Sequence, residues 1–284
     1  MVIKLINYII MTATKPRKQF GQHWLKSDKI LNQIVKAAEL SKTDRVLEIG
    51  PGTGILTQKL LPLVETLVAI EIDRDLCPLL AKKYGKIDNF LLLQGDFLEI
   101  NIESLLQEFP KFQKPNKVVA NIPYNITGPI LEKLLGKINQ PNPQPFDSIV
   151  LLVQKEVADR LHAKAGTKAF GALSVKIQYL AQCELICHVP ANAFFPPPKV
   201  DSAVVRLHPR PIDPPVKNPE LLAKLVHNGF ASKRKMLRNN LQTIIDRDRL
   251  TQLLEQLNLN PQSRAEDLSI SEWVALTNLL AVEN

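Results

Sequence analysis

Arg45-Val46-Leu47-Glu48-Ile49-Gly50-Pro51-Gly52-Thr53-Gly54 sets the architecture. The first five residues are a short, mostly aliphatic run that stops at glycine, which reads as a buried strand. A helical pattern over 56–61 follows the three glycines. Strand, glycine loop and helix together let the backbone turn tightly and approach a ligand closely. The spacing is G-x-G-x-G, whereas a dinucleotide fingerprint needs its third glycine one place later, where Ile55 stands; NAD is therefore disfavoured. Taken alone, the loop is also compatible with a tight turn that binds nothing.

Apolar runs recur at 67–72, 90–93, 118–120, 149–153, 184–189 and 203–207, with helical spacing between them at 30–38 (Asp28 a candidate cap) and 76–81. This alternation predicts an α/β fold, a doubly wound parallel sheet of seven strands. Pro209, Pro211, Pro214, Pro215 and Pro219 then mark a linker. Beyond it, 221–230, 235–245, 250–257 and 271–280 show helical spacing, with Asp267 or Ser269 as caps, and predict a small helical bundle. The expected domains are an extension over 1–14 that reads as disordered, a catalytic domain over 15–208, a linker over 209–219 and a helical RNA-binding domain over 220–284. Met11 is an alternative start.

The 284 residues are 45% hydrophobic and 23% charged, with a mean hydropathy of −0.04, which excludes a disordered or fibrous chain. Lys and Arg number 36 against 28 Asp and Glu, giving +8 and a pI near 9.3, a balance that attracts polyanions such as nucleic acid or acidic lipid. Cys77, Cys183 and Cys187 are too few for a disulfide framework and complete no metal site, so a cytoplasmic, metal-free protein is expected. The apolar stretch 2–10 is too short to span a bilayer and lacks the marks of a secretory signal.

Glu71 ends the second strand, where a carboxylate can accept from both hydroxyls of a ribose, and Asp96 ends the third, where it can accept from an adenine amino group. Asn121-Ile122-Pro123-Tyr124 follows the fourth strand. An adenine amino nitrogen is a poor nucleophile because its lone pair is delocalised into the ring. The Asn121 side-chain oxygen and the Ile122 carbonyl, held by rigid Pro123, can accept both amino protons and favour a pyramidal nitrogen. Tyr124 offers a stacking face for a base taken out of its helix, and Phe194, in Phe194-Phe195-Pro196-Pro197-Pro198-Lys199-Val200-Asp201-Ser202, offers a second. Lys15, Arg17, Lys18, Lys26 and Lys29 form one basic cluster; Lys233, Arg234, Lys235 and Arg238, on one expected helix, form another. Both are candidates to grip phosphates, as is Lys199.

These residues resemble the KsgA (RsmA) family of small-subunit ribosomal RNA adenine dimethyltransferases, class I methyltransferases with a Rossmann-like seven-stranded sheet. The likeness covers nearly the whole chain after Lys15. It includes Gln19-Phe20-Gly21-Gln22, the Gly50 to Gly54 loop, Asn121 to Tyr124, Gln154-Lys155-Glu156-Val157-Ala158, Phe170-Gly171-Ala172-Leu173-Ser174, Pro196 to Ser202, Lys233 to Leu241 and Arg264-Ala265-Glu266-Asp267-Leu268. The resemblance implies methyl transfer from S-adenosyl-L-methionine, leaving S-adenosyl-L-homocysteine, to N6 of two adjacent adenosines in the 3′-terminal hairpin of 16S rRNA in the 30S subunit or its precursor. It places cofactor contacts at His23, Leu25, Glu48, Gly50, Gly52, Gly54, Glu71, Asp96 and Asn121. The family usually has Asn at His23 and Phe at Trp24.

The macrolide-resistance methyltransferases that act on one adenine of 23S rRNA share the Asn121 to Tyr124 chemistry; the Lys233 to Leu241 segment and the Pro196 to Ser202 loop favour the small-subunit enzymes. A non-catalytic ribosome-assembly factor is a third reading, against which the intact motifs speak. Nothing in the chain demands more than a monomer.

Overall fold

The computed structural model describes residues 16–17 and 20–282. The expected extension over 1–14, with Lys15 and Lys18, lies outside them. The chain divides into two compact units. The first takes in residues up to Leu134, Gln144–Ala158 and Glu184–His208; the second takes in Leu135–Pro143, Asp159–Cys183 and Pro209–Asn284. Two segments of the second unit therefore come from inside the stretch 15–208. The cause is apolar burial: Phe170 and Val175 share one buried cluster with Leu222, Leu253 and Trp273.

Seven strands form the main sheet: β1 Arg45–Ile49, β2 Thr66–Glu71, β3 Phe90–Gln94, β4 Lys117–Asn121, β5 Ser148–Gln154, β6 Ala181–Val189 and β7 Ser202–Pro209. Their order is β3-β2-β1-β4-β5-β7-β6. β1 pairs in parallel with β2 and β4, β2 with β3, and β4 with β5. The expected all-parallel sheet is corrected at β7, which runs antiparallel to β5 with Ser202 opposite Gln154 and Leu207 opposite Ile149. β7 follows β6 through a connection without an α-helix, whereas a parallel neighbour needs a crossover, usually helical. All six residues of β2 are buried, which is why it reads as a continuous apolar run. The strand order reverses between β1 and β4, so the loops leaving their carboxyl ends flank the crevice where open α/β sheets bind ligands.

Helix Asp28–Ala37 covers the first unit's core with Ile30, Leu31, Ile34 and Ala37. Its cap is Ser27, whose side chain accepts from the Ile30 amide, not Asp28, which sits in the first turn and complements the helix dipole. In the second unit, Pro219–Gly229, Arg247–Gln256 and Ile270–Leu280 are helices, the last capped by Ser269. The helix expected over 235–245 is helical only at Leu237–Asn240. Asn240 Nδ2 donates to the carbonyls of Gly229 (2.6 Å) and Ser232 (3.0 Å), and the Lys235 amide donates to the Ser232 carbonyl. Those bonds hold Lys233, Arg234 and Lys235 exposed in a turn ahead of the helix that carries Arg238. Among the described residues no helix is long and apolar enough to cross a membrane.

Candidate active site

The glycine loop after β1 needs all three of its glycines in the left-handed region, with φ of 66° at Gly50, 59° at Gly52 and 76° at Gly54. They serve different ends. A Cβ at Gly54 would lie 2.6 Å from Tyr84 Cε2 and 2.9 Å from Leu80 Cδ2, and Tyr84 Oη donates to the Gly54 carbonyl at 2.6 Å. Gly54 thus allows close packing of helix Cys77–Tyr84. A Cβ at Gly50 would meet nothing within 4 Å. It would project into a cavity whose wall includes Trp24, Leu25, Glu48, Gly50, Gly52 and Asn121.

Trp24–Leu25 forms a two-residue ribbon with Phe194–Phe195, Trp24 opposite Phe195 and Leu25 opposite Phe194. The ribbon carries His23 to the end of β4. Asn121 Nδ2 donates to the His23 carbonyl at 3.2 Å, which fixes the amide and leaves Oδ1 as an acceptor. His23 Nδ1 lies 2.8 Å from the Pro196 carbonyl; a carbonyl only accepts, so Nδ1 carries a proton and donates. The His23 and Tyr124 rings are stacked, with centroids 5.8 Å apart and planes 18° apart. Tyr124 Oη shares a 2.6 Å hydrogen bond with Ser202 Oγ, and burial pushes its hydroxyl pKa up.

Two buried carboxylates stand behind the loop. Glu71 accepts from the amides of Gly52 and Asp73, both at 2.9 Å, and burial raises its pKa. Glu48 is 1% exposed and accepts from Thr57 Oγ1 at 2.7 Å; burial pushes it up to about 8. The folded protein therefore holds a proton on Glu48 between the ordinary carboxylate range and about pH 8, and the unfolded chain does not. Stability falls as pH rises through that window. We expect Glu48→Gln, which keeps the Thr57 acceptor, to gain stability over the wild type by about 1 kcal/mol per pH unit from pH 5 to 8. Thermal unfolding against pH checks this. A pH-independent difference would mean that Glu48 is ionised in the folded protein.

Of the residues expected at the cofactor, Leu25, Glu48, Gly50, Gly52 and Asn121 converge on the cavity, and Glu71 joins through the Gly52 amide. Asp96 lies two residues past β3, where it accepts from the Leu98 amide at 2.9 Å, and is not in the cavity wall. Phe194 is 1% exposed in the core beside Leu25, so the second stacking face is corrected: the ring the loop presents to solvent is Phe195, at 46%. Arg17 pairs with Asp73 (3.5 Å) and with Asp75, and Gln22 Nε2 donates to Asp73 at 2.8 Å. Its guanidinium clips its own segment to the turn after β2, a correction to the phosphate grip expected of it. Lys199 is exposed. Trp24 and Thr53 were missed by sequence reasoning. Trp24 carried one signal, its departure from the family's usual Phe; Thr53 carried none beyond its place in the loop.

The site suits a cofactor such as S-adenosylmethionine on two counts. Gly50 leaves open a space that any side chain would fill, and the buried Trp24 Nε1 has no partner. The sequence model of the family described as "Ribosomal RNA adenine dimethylase" matches residues 13–282. The chain belongs to this family. Membership makes the dimethylase a methyltransferase with a Rossmann-like sheet that uses S-adenosylmethionine and acts on RNA. A relative from Nostoc sp., named Ribosomal RNA small subunit methyltransferase A, is 71% identical over 269 residues, covering 95% of this chain and 99% of its own. Among solved structures, a dimethyladenosine transferase from Plasmodium falciparum matches this dimethylase with TM-score 0.75 and 28% identity, over 92% of this chain and 98% of that one. The 23S rRNA methyltransferase ErmE matches with TM-score 0.71 and 25% identity, over 91% and 99%.

Proposed function

We propose that this dimethylase transfers methyl groups from S-adenosylmethionine to N6 of two adjacent adenosines in the 3′-terminal hairpin loop of 16S rRNA, carrying each to the dimethyl state. It acts as a cytoplasmic monomer on the 30S subunit or its precursor. The observation that carries the reading is Asn121: its Nδ2 is held by the His23 carbonyl while the residue lines the cavity opposite the glycine loop.

S-Adenosylmethionine, when bound, supplies an electrophilic methyl carbon on sulfur. The Leu25, Glu48, Gly50, Gly52, Glu71 and Asn121 set would hold it, with His23 at its methionine end. Asn121 Oδ1 and the Ile122 carbonyl accept the two N6 protons and draw the nitrogen toward a pyramid, freeing its lone pair for in-line attack. The Tyr124 ring, anchored through Ser202 and stacked on His23, supports the extruded base. After transfer the amine loses its extra proton to solvent and can react again.

The second unit would bind RNA phosphates through exposed Lys233, Arg234 and Lys235, with Arg238 beside them. Replacing all three exposed residues with alanine is expected to reduce the slope of log K against log salt by about two to three. RNA-binding titrations at several salt concentrations check this. The substrate is tested by offering undermethylated 30S and 50S subunits with labelled S-adenosylmethionine. Label in the 30S subunit supports the proposal; label in the 50S subunit alone would place this dimethylase with the resistance enzymes.

A further inference from the structure

We infer that the indole Nε1–H of Trp24 is a cofactor-binding donor, directed to the methionine carboxylate of S-adenosylmethionine. The inference rests on the cofactor reading above.

Trp24 is 5% exposed, and its Nε1 is buried with no hydrogen-bond partner. Buried donors in folded proteins are almost always paired, so an orphan in a ligand cavity points to an acceptor the ligand brings. Its neighbours are satisfied. Glu71 is held by the amides of Gly52 and Asp73, Glu48 by Thr57, and Asn121 Nδ2 by the His23 carbonyl. Among the described residues four other buried side-chain atoms lack partners, on Gln33, Thr66, Ser148 and Trp273, and none belongs to the wall of this cavity.

The backbone of Trp24 is fixed by its strand pairing with Phe195. A Cβ at Gly52 would lie 3.4 Å from Trp24 Cδ1 and 3.5 Å from Nε1, so the polar edge of the indole abuts the glycine loop. An indole N–H only donates, so the ligand atom opposite it must be an acceptor. Trp24 follows His23, which the proposed function sets at the methionine end, where the cofactor's charged acceptor is its carboxylate.

The test uses the full chain and S-adenosylhomocysteine, which keeps the carboxylate, beside 5′-methylthioadenosine, which lacks it. The protein has two tryptophans, so a proton–nitrogen correlation spectrum has two indole signals, and Trp24→Phe identifies one by removing it. S-Adenosylhomocysteine should move the Trp24 indole proton downfield and slow its exchange with water; methylthioadenosine should not. By calorimetry, Trp24→Phe should bind S-adenosylhomocysteine about fivefold to tenfold more weakly and methylthioadenosine equally well. Tight S-adenosylhomocysteine binding with an unmoved Trp24 signal overturns the inference and leaves the cofactor reading standing. Equal loss for both ligands overturns the assignment to the carboxylate. No binding of S-adenosylhomocysteine to the wild type overturns both readings. The wild-type spectrum decides by itself should Trp24→Phe fail to fold.

Discussion

Asn121→Ala is expected to lower kcat for methyl transfer by about 10²–10³, the effect of removing one preorganised polar group aimed at a transition state. The acceptor matters most as the bond to the methyl carbon forms, when positive charge develops on the amino nitrogen and its protons become more acidic than in the flat ground state. Affinity for S-adenosylhomocysteine should fall by less than about tenfold, because Asn121 is one cofactor contact among several and the glycine loop and Glu71 remain. Asn121→Ala also frees the carbonyl of His23, a half-buried residue. Single-turnover transfer beside calorimetry separates the two effects. A variant that transfers at the wild-type rate would remove Asn121 from the chemistry.

Gly54→Ala is the second large effect, and it falls on stability. An alanine at φ 76° is strained, and its Cβ would press on Tyr84 and Leu80 at 2.6 and 2.9 Å. Neither neighbour is the loose end of a flexible side chain, since Leu80 is 1% exposed and Tyr84 is tied to the Gly54 carbonyl. Strain and overpacking together should cost about 3 kcal/mol, lowering Tm by about 6–12 °C. Gly50→Ala makes the informative contrast. It has a similar φ but an open neighbourhood, so it should lose only about 1 kcal/mol of stability while its methyl group obstructs the cavity and weakens S-adenosylhomocysteine binding. Equal destabilisation of the two variants would contradict the division of labour between these glycines.

β1, β2, β4, β5 and β7 were legible because strands buried on both faces appear as apolar runs, whatever their partners; β3 and β6 are only partly buried and showed as shorter apolar stretches. Direction is different. Nothing local in 203–207 distinguishes a parallel from an antiparallel neighbour; the missing crossover helix before β7 does. The helix expected over 235–245 has the right apolar spacing, and Leu237, Leu241 and Ile245 are indeed buried. Spacing could not show that Asn240 captures two carbonyls and holds the basic triplet in a turn.

The glycine loop and Asn121 were legible because strand-end positions carry functional meaning in this topology. Arg17 was not, since its partners Asp73 and Asp75 lie far away in sequence and a lone cation reads as free. The order of the two phenylalanines depends on register: Leu25 opposite Phe194 turns that ring into the core and leaves Phe195 outside. Trp24 read as a departure from a family pattern. Its unpaired nitrogen beside Gly52 needed coordinates.

The central claim is dimethylation of two adjacent adenosines, and mass mapping of the rRNA tests it most directly. Undermethylated 30S subunits would be incubated with the protein and S-adenosylmethionine, and the 3′-terminal fragment of their 16S rRNA digested and sequenced by mass. The account predicts N6,N6-dimethyladenosine at two neighbouring positions of the hairpin loop and nowhere else. A single methylated adenosine, or methyl groups elsewhere in the RNA, would contradict it.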